Sequence, residues 1–314
     1  MKQTTLAEGG FEKYAKTTRR EAFLEEMDRV VPWAELCALV EPHYPKAGRG
    51  RPPIGLERML RLHFLQQWFN LGDPTLEDAL YDSNAMRRFA GIDLGREPVP
   101  DETTVCKFRH LLERHGLGEQ IFKRVGQHLQ ARGFRLSQGT IVDATLISAA
   151  QSTKNESGQR DPQMGSTRKG KKWGFGMKAH VGVDRQTKLI HTVVATAGNV
   201  ADGPMIGQLL HGQERAVWGD KAYVGQGTAI KRAAPRARDL TLAKAQANNP
   251  LTPMDEQINR FRSRIRSRVE HVFGVIKCVF GFDKLRYRGL AKNANRLFVV
   301  SALANLFMVR RKLA

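Results

Sequence analysis

Cysteine is scarce. The chain has 3 in 314 residues, Cys37, Cys106 and Cys278, far apart and outside any CxxC or Cys/His cluster. That spacing excludes a disulfide framework and a cysteine-built zinc centre, and it fits a reducing cytoplasm. Long apolar runs are missing too. Leu297 to Val309 is interrupted by Ser301 and Asn305, and the opening Met-Lys-Gln-Thr-Thr turns charged before an apolar core of signal-peptide length forms. No membrane span and no export are expected. Acid is in short supply, 31 Asp plus Glu against 51 Lys plus Arg, a formal charge of +20. So basic a chain points to nucleic acid as partner. The competing readings, a ribosome-bound or membrane-surface protein, rarely combine long basic helices with isolated acids in apolar strands.

What is present suffices for a substantial core. Hydrophobic residues make up 41% of the chain, and its length suits two domains, or one with a sizeable appendage. Residues 20–135 read mostly as helices: Leu56, Met59, Leu60, His63, Phe64 and Gln67 follow helical spacing, and Thr75-Leu76-Glu77-Asp78 after Pro74 resembles a capping-box start. Another helix is expected from Asp101 as its cap through Phe108, Leu111 and Leu112 to Gly116. From about residue 138 the pattern changes to short β-rich runs, 140–147, 176–184 and 189–197, the last two joined by Arg185-Gln186-Thr187-Lys188 as a hairpin. A short helix over 202–210, with Asp202 as its N-cap, should precede a strand at 216–220 and a helix from Lys221. A weak strand at 240–242 and a long helix over 253–279 complete the order βββαβαβα. Residues 151–172, rich in Ser, Gly, Lys and Arg, read as a mobile basic loop.

Three acids stand out in this frame. Asp143 lies in the apolar run Thr140-Ile141-Val142-Asp143-Ala144-Thr145-Leu146-Ile147, Asp220 closes Val217-Trp218-Gly219-Asp220, and Glu270 sits in Arg266-Ser267-Arg268-Val269-Glu270-His271. A carboxylate in a buried strand is costly unless positive charge meets it, and three converging ones require divalent cations between them. On the late helix Arg266 and Glu270 are i, i+4 neighbours with Lys277 two turns on, beside an apolar stripe of Phe261, Ile265, Val269, Val272 and Ile276. An ordinary surface ion pair explains Arg266 and Glu270 equally well when they are taken alone.

The wording Ile-Val-Asp143-Ala-Thr, Gly219-Asp220-Lys-Ala-Tyr223 and Arg266-x3-Glu270-x6-Lys277 resembles the three catalytic blocks of bacterial insertion-sequence DDE transposases, specifically the IS5 family within the IS4-like group. Gly50-Arg51-Pro52-Pro53 and Pro100-Asp101-Glu102-Thr103-Thr104 with Phe108-Arg109 resemble the N-terminal domain of such enzymes. The departures are Ser263, where the wider group has a Tyr, and Ala222, where a Gly is common. The resemblance implies an α/β fold: a ribonuclease H-like catalytic core with a mixed sheet at 137–290, preceded by a helical DNA-binding and dimerisation domain at 1–136 and followed by a C-terminal helix at 291–314 packed on the core.

It further implies that Asp143, Asp220 and Glu270 are catalytic and hold two Mg²⁺ ions roughly 3.5–4 Å apart, one activating the attacking oxygen and one stabilising the leaving oxygen. Water and then a 3′-hydroxyl would attack. A carboxylate-only site favours Mg²⁺ over zinc, with Mn²⁺ as a substitute. The implied function is binding of terminal inverted repeats in double-stranded DNA, cleavage at the ends and joining of 3′-OH ends to target DNA, by a homodimer in the cytoplasm on the nucleoid. A non-catalytic DNA-binding regulator and a hydrolytic nuclease on the same core are the alternatives.

Arg262, Arg266, Arg268 and Lys277 on the late helix, with Lys171 and Lys172 in the basic loop, are the expected phosphate contacts. Lys178 and His180 alternate along a strand and so share one face, either a solvated one or one beside the scissile phosphate. In the helical domain, Lys107 and Arg109 on the helix from Asp101 are candidates for a major groove. Arg51 belongs to Arg49-Gly50-Arg51-Pro52, which resembles an AT-hook core or a basic linker.

Overall fold

The computed structural model of this chain describes residues 16–48, 52–156, 158–245 and 250–313. The chain divides into two compact units, residues 1–124 with 306–314, and residues 125–305. Arg51 and its neighbours Arg49 and Gly50 lie outside the described residues.

The first unit is helical, with α1 (Arg19–Val30), α2 (Trp33–Val40), α3 (Leu56–Trp68), α4 (Asp73–Asp82), α5 (Asn84–Ala90) and α6 (Glu102–Arg114). A full capping box starts α1, Thr18 and Glu21 satisfying each other's backbone N–H groups. Every residue of α3 from Met59 to Trp68 is buried, polar ones included, which makes it the central helix of this unit. Its Arg61 is neutralised by Asp28 at 2.6 Å and Glu57 at 2.8 Å, donates to the Phe89 carbonyl at 2.9 Å and lies 4.3 Å from the Trp33 ring centroid. Asp101 caps α6 as the sequence predicts, accepting the Thr104 N–H at 2.7 Å. One expectation fails locally: α4 starts at Asp73 with Gly72 before it, because Pro74 is tolerated in a first turn, and no capping box forms at Thr75.

α7 (Leu117–Ala131) begins in the first unit and ends in the second, and α11 (Leu290–Leu313) runs the other way. The second unit is built on a mixed sheet: β1 (Gly139–Ser148), β2 (Gly165–Lys169), β3 (Lys172–Asp184), β4 (Ile190–Ala197), β5 (Ala216–Trp218) and β6 (Arg238–Asp239). β1 pairs antiparallel with β3 along its length and parallel with β5 at its start, and β6 is parallel to β5. The long β3 takes β2 against its first five residues and β4 further along. The expected mobile loop 151–172 is therefore partly strand: Gly165–Lys169 has no apolar alternation to announce it and is ordered by pairing with Lys172–Gly176.

The β3–β4 hairpin forms where expected. Asp184 takes the N–H groups of Gln186 and Thr187 at 3.0 and 2.7 Å, and Lys188 adopts φ +62° to close the turn. The helix expected over 202–210 is a 3₁₀ stretch, Gly203–Leu209, and the one expected from Lys221 is a 3₁₀ turn, Lys221–Tyr223, followed by α8 (Gly227–Ala233). The weak strand lies slightly earlier than expected, as β6. The expected 253–279 helix breaks into α9 (Pro253–Arg266), α10 (Arg268–Gly274) and one π turn, Val275–Val279. At the break the Ser267 hydroxyl donates to the Arg264 carbonyl at 3.0 Å, a back-bond that competes with the helical ladder.

One apolar cluster joins Val142 on β1 and Val217 on β5 to Ile206, Leu209, Tyr223 and Ile230. α10 packs on β1 and buries Val269 and Val272. α9 buries no residue at all, and Phe261, read from sequence as part of the apolar stripe, is 65% exposed. No helix among the described residues is long and apolar enough to cross a membrane.

Candidate active site

Asp143 sits midway along β1, and the strand register decides its neighbours. It pairs with Val181 on β3, so Lys178 and His180, opposite Leu146 and Ala144, point to the other face of the sheet. Its Oδ1 accepts the N–H of Ala144 at 2.8 Å, and its Oδ2 accepts from the Arg266 guanidinium at 2.6 Å. Burial pushes this carboxyl up to about 6, Asp220 and Asp202 pushing the same way against the Ala144 N–H and Arg266. Desolvation thus outweighs the neighbouring guanidinium at this carboxyl.

Asp220 follows β5. Its Oδ1 accepts the Ala222 N–H at 2.9 Å and so caps the 3₁₀ turn that anchors Tyr223 in the core. Gly219 fits closely there: a Cβ would lie 3.0 Å from the Tyr223 ring and 3.1 Å from Val142 Cγ2, so either side chain would have to shift. Ala222 serves in this turn without a glycine's freedom. Glu270, on α10 just past the Ser267 break, keeps its side chain 62% exposed and meets Arg266 at 3.1 Å. The Arg266 guanidinium thus bridges Asp143 and Glu270, 127 residues apart in sequence, and Asp220 adds its field to Asp143.

The structure adds Asp202. It makes no capping bond to the 3₁₀ stretch that it precedes, contrary to the sequence reading. Its Oδ1 lies 2.9 Å from Lys178 Nζ and 3.8 Å from His180 Nδ1, and it is close enough to raise Asp143. Lys178 also donates to the Val200 carbonyl at 2.7 Å. His180 is fully buried, 2.8 Å from Thr196 Oγ1; burial and Lys178 push its imidazole down to about 4 against the pull of Asp202. The solvated strand face expected from alternation does not exist, because the 3₁₀ stretch covers it.

Several expected DNA contacts are engaged inside the fold. Lys277 donates to the Leu146 carbonyl at 2.6 Å, Arg262 to the Thr241 carbonyl at 2.8 Å and Arg268 to the Arg185 carbonyl at 2.8 Å, tying the late helices to the sheet and its loops. Arg109 is a correction: it is buried between Asp73 at 3.1 Å and Glu113 at 2.9 Å, so it supports the helical unit and does not face a groove. Lys107 on the same helix is exposed, as are Lys171 and Lys172 at the β2–β3 tip beside Trp173, 69% exposed. Sequence reasoning missed four exposed arginines, Arg185, Arg215, Arg236 and Arg238, that line one groove with Trp218, over whose ring Arg185 lies at 5.2 Å. The run Arg232-Ala-Ala-Pro-Arg236-Ala-Arg238 was the available signal.

A mixed sheet carrying one acid on its first strand, one after the parallel neighbour and one on a late helix, following a helical region in the chain, defines a ribonuclease H-like core. Residues 134–306 match the family described as Transposase DDE domain, and residues 12–111 match the Transposase domain (DUF772). The chain belongs to the DDE transposases and is a DNA transposase, a DNA-cleaving enzyme of recombination.

That family uses divalent metal ions. The acids suit such ions: Asp143 is desolvated, feels the like charge of Asp220, and is joined to Glu270 through Arg266. They do not form a closed three-ligand cluster. Among the described residues, the one group of three such side chains whose ligand atoms all lie within 4.8 Å of one another is His191, His211 and Glu214.

Proposed function

We propose that this transposase binds the terminal inverted repeats of its own insertion sequence, cleaves at their ends and joins the freed 3′-hydroxyls to target DNA, with Asp143, Asp220 and Glu270 as the catalytic acids. The observation that carries this reading is the Arg266 bridge. One guanidinium occupies the space between two carboxylates, one of them pushed up to about 6, as a cation must wherever such acids converge. Asp143, Asp220 and Glu270 would hold Mg²⁺, with Mn²⁺ as a substitute; the bound ions supply charge stabilisation of attacking and leaving oxygens. A set of oxygen ligands without cysteine or histidine favours these hard cations.

Arg266 then releases the acids and turns its two-pronged donor set on the scissile phosphate, a geometry that guanidinium and phosphate share. Lys178, held by Asp202, and the buried His180 position the far side of β1. Duplex DNA is gripped by Lys171 and Lys172 at the hairpin tip, by Lys107, and by Arg185, Arg215, Arg236 and Arg238 along their groove. Such contacts hold the backbone without reading sequence. The assignment to the IS5 family rests on the motif wording. Two ends cut before joining require two active sites held together, so the working form is a homodimer on DNA, in the cytoplasm with the nucleoid.

The test is cleavage and joining of labelled DNA carrying the gene's flanking inverted repeats in Mg²⁺, comparing wild type with Asp143→Ala, Asp220→Ala and Glu270→Ala. Joined products from wild type alone, from a complex of two subunits by light scattering, support the reading. Cutting that never yields joined products makes the protein a nuclease, and end binding without chemistry makes it a regulator.

A further inference from the structure

Three residues up β1 from the catalytic aspartate, a second polar cluster is buried on the other face of the sheet. Thr140 is fully buried, and so is Glu214, in the loop that leads into β5. The Glu214 carboxylate accepts from the backbone N–H of His211 at 2.7 Å and of Gly212 at 2.8 Å, and from Thr140 Oγ1 at 3.0 Å. His191 on β4 brings Nε2 to 3.1 Å from Thr140 Oγ1, and His211 brings Nε2 to 3.4 Å from Glu214 Oε1. The two rings meet edge to face at 5.0 Å between centroids. Each Nδ1 faces away from the cluster, that of His191 to Thr192 Oγ1 at 2.8 Å and that of His211 to the Gln213 N–H at 3.3 Å.

The backbone is arranged around this cluster. Gly182 leaves room for the His191 ring: a Cβ there would lie 2.8 Å from His191 Cε1 and 2.2 Å from the Leu209 carbonyl oxygen. Gly212 takes φ +90°, which lets two successive N–H groups turn onto Glu214. A buried carboxylate is costly without a counter-charge, and among the described residues the ion-pair partner of Glu214 is His211, whose buried Nε2 is outside hydrogen-bond alignment.

We infer that His191, His211 and Glu214 form a structural metal site for zinc, distinct from the catalytic acids. Two imidazole nitrogens and one carboxylate oxygen are a ligand set that zinc takes and magnesium avoids. Tetrahedral ligands about 2.1 Å from zinc stand roughly 3.4 Å apart, and the His211–Glu214 separation is already 3.4 Å, with all three ligand atoms inside 4.8 Å. Thr140 Oγ1 or a water completes the fourth position. Zinc requires the Nε2 lone pair of each ring, so His211 carries its proton on Nδ1 and gives up the long Gln213 contact. The ion ties the 211–214 loop to β1 and β4, immediately before the strand that delivers Asp220.

The test uses the full-length chain, without a histidine tag and stripped with a chelator, in an Asp143→Asn, Glu270→Gln background that removes two acids of the other site. The expected result is one equivalent of zinc retained through gel filtration, and a tetrahedral visible spectrum when Co²⁺ replaces it. His191→Ala, His211→Ala and Glu214→Gln should each weaken zinc by more than the about 10–100-fold typical of losing an outer partner. X-ray absorption on the zinc-loaded protein should show two imidazoles, a readout that needs no folded variant. Absence of bound zinc in that background, retention of it by both histidine variants, or an absorption spectrum without imidazole overturns the site and leaves a hydrogen-bonded His-Thr-Glu network.

Discussion

Two carboxylate clusters share the strand β1, and they solve the same electrostatic problem differently. Around Thr140, Glu214 is closed in, with donors from two backbone N–H groups and a hydroxyl and with histidine as the neighbouring base. Around Asp143, three residues further on, the carboxylates are held through a long arginine from another element, and Glu270 stays largely exposed. In the first arrangement the carboxylate's donors are fixed parts of the fold. The second has a removable cation, which a site that must admit DNA and then rearrange requires.

The largest effects are expected at the three acids proposed as catalytic. Asp143→Ala, Asp220→Ala or Glu270→Ala should lower strand cleavage by about 10³-fold or more, since several kcal/mol of charge stabilisation are lost. End binding in a gel-shift assay should persist. The closed cluster should answer the other way: Glu214→Gln should lower the urea midpoint of the zinc-loaded protein, by an amount corresponding to about 2–4 kcal/mol for the loss of a hydrogen-bonded buried charge and its ion. If Glu214→Gln instead left stability unchanged while abolishing cleavage, the division of roles would be reversed.

Arg266→Ala should cost about 1–3 kcal/mol in the metal-free protein, because Asp143 loses its bonded counter-charge, and saturating Mg²⁺ should recover most of it. Arg266→Lys should not restore activity, since one ammonium cannot give a phosphate the two-pronged contact of a guanidinium. Urea titrations with and without Mg²⁺ measure this directly.

The smallest effect is a pH dependence from His180. Its folded value, about 4, lies below the ordinary 6.5, so between these limits the unfolded chain binds the additional proton. Stability therefore rises with pH in that window and is lost as pH falls from about 6.5 towards 4, at no more than about 1.4 kcal/mol per pH unit for one proton. His180→Gln should flatten that part of the curve, measured by urea midpoints at pH 7 and 5. Lys178 and Asp202, which face the ring, oppose one another in setting its size.

Asp143 was legible in sequence because a carboxylate in an apolar run is anomalous wherever the chain goes, and Asp101 because a cap acts within three residues. Residues whose meaning comes from distant partners were not. Asp202 reads locally as a cap, yet its partner Lys178 lies on β3, 24 residues away; Arg109 reads as a groove contact until Asp73 closes on it. β2 has no apolar pattern because its order comes from pairing with the start of β3. His191, His211 and Glu214 are separated by twenty and three positions, which match no familiar ligand motif, and only the fold brings them together.

The interruption at Ser267 bears on how such an enzyme changes over generations. Upstream of it α9 buries no residue and is held by the polar contacts of Arg262 and Arg266, so substitutions at its outward positions meet little resistance from folding; downstream, α10 is fixed by Val269 and Val272, and Glu270 with it. One serine separates a segment that, apart from those two arginines, is free to drift from a segment whose packing residues must be inherited intact.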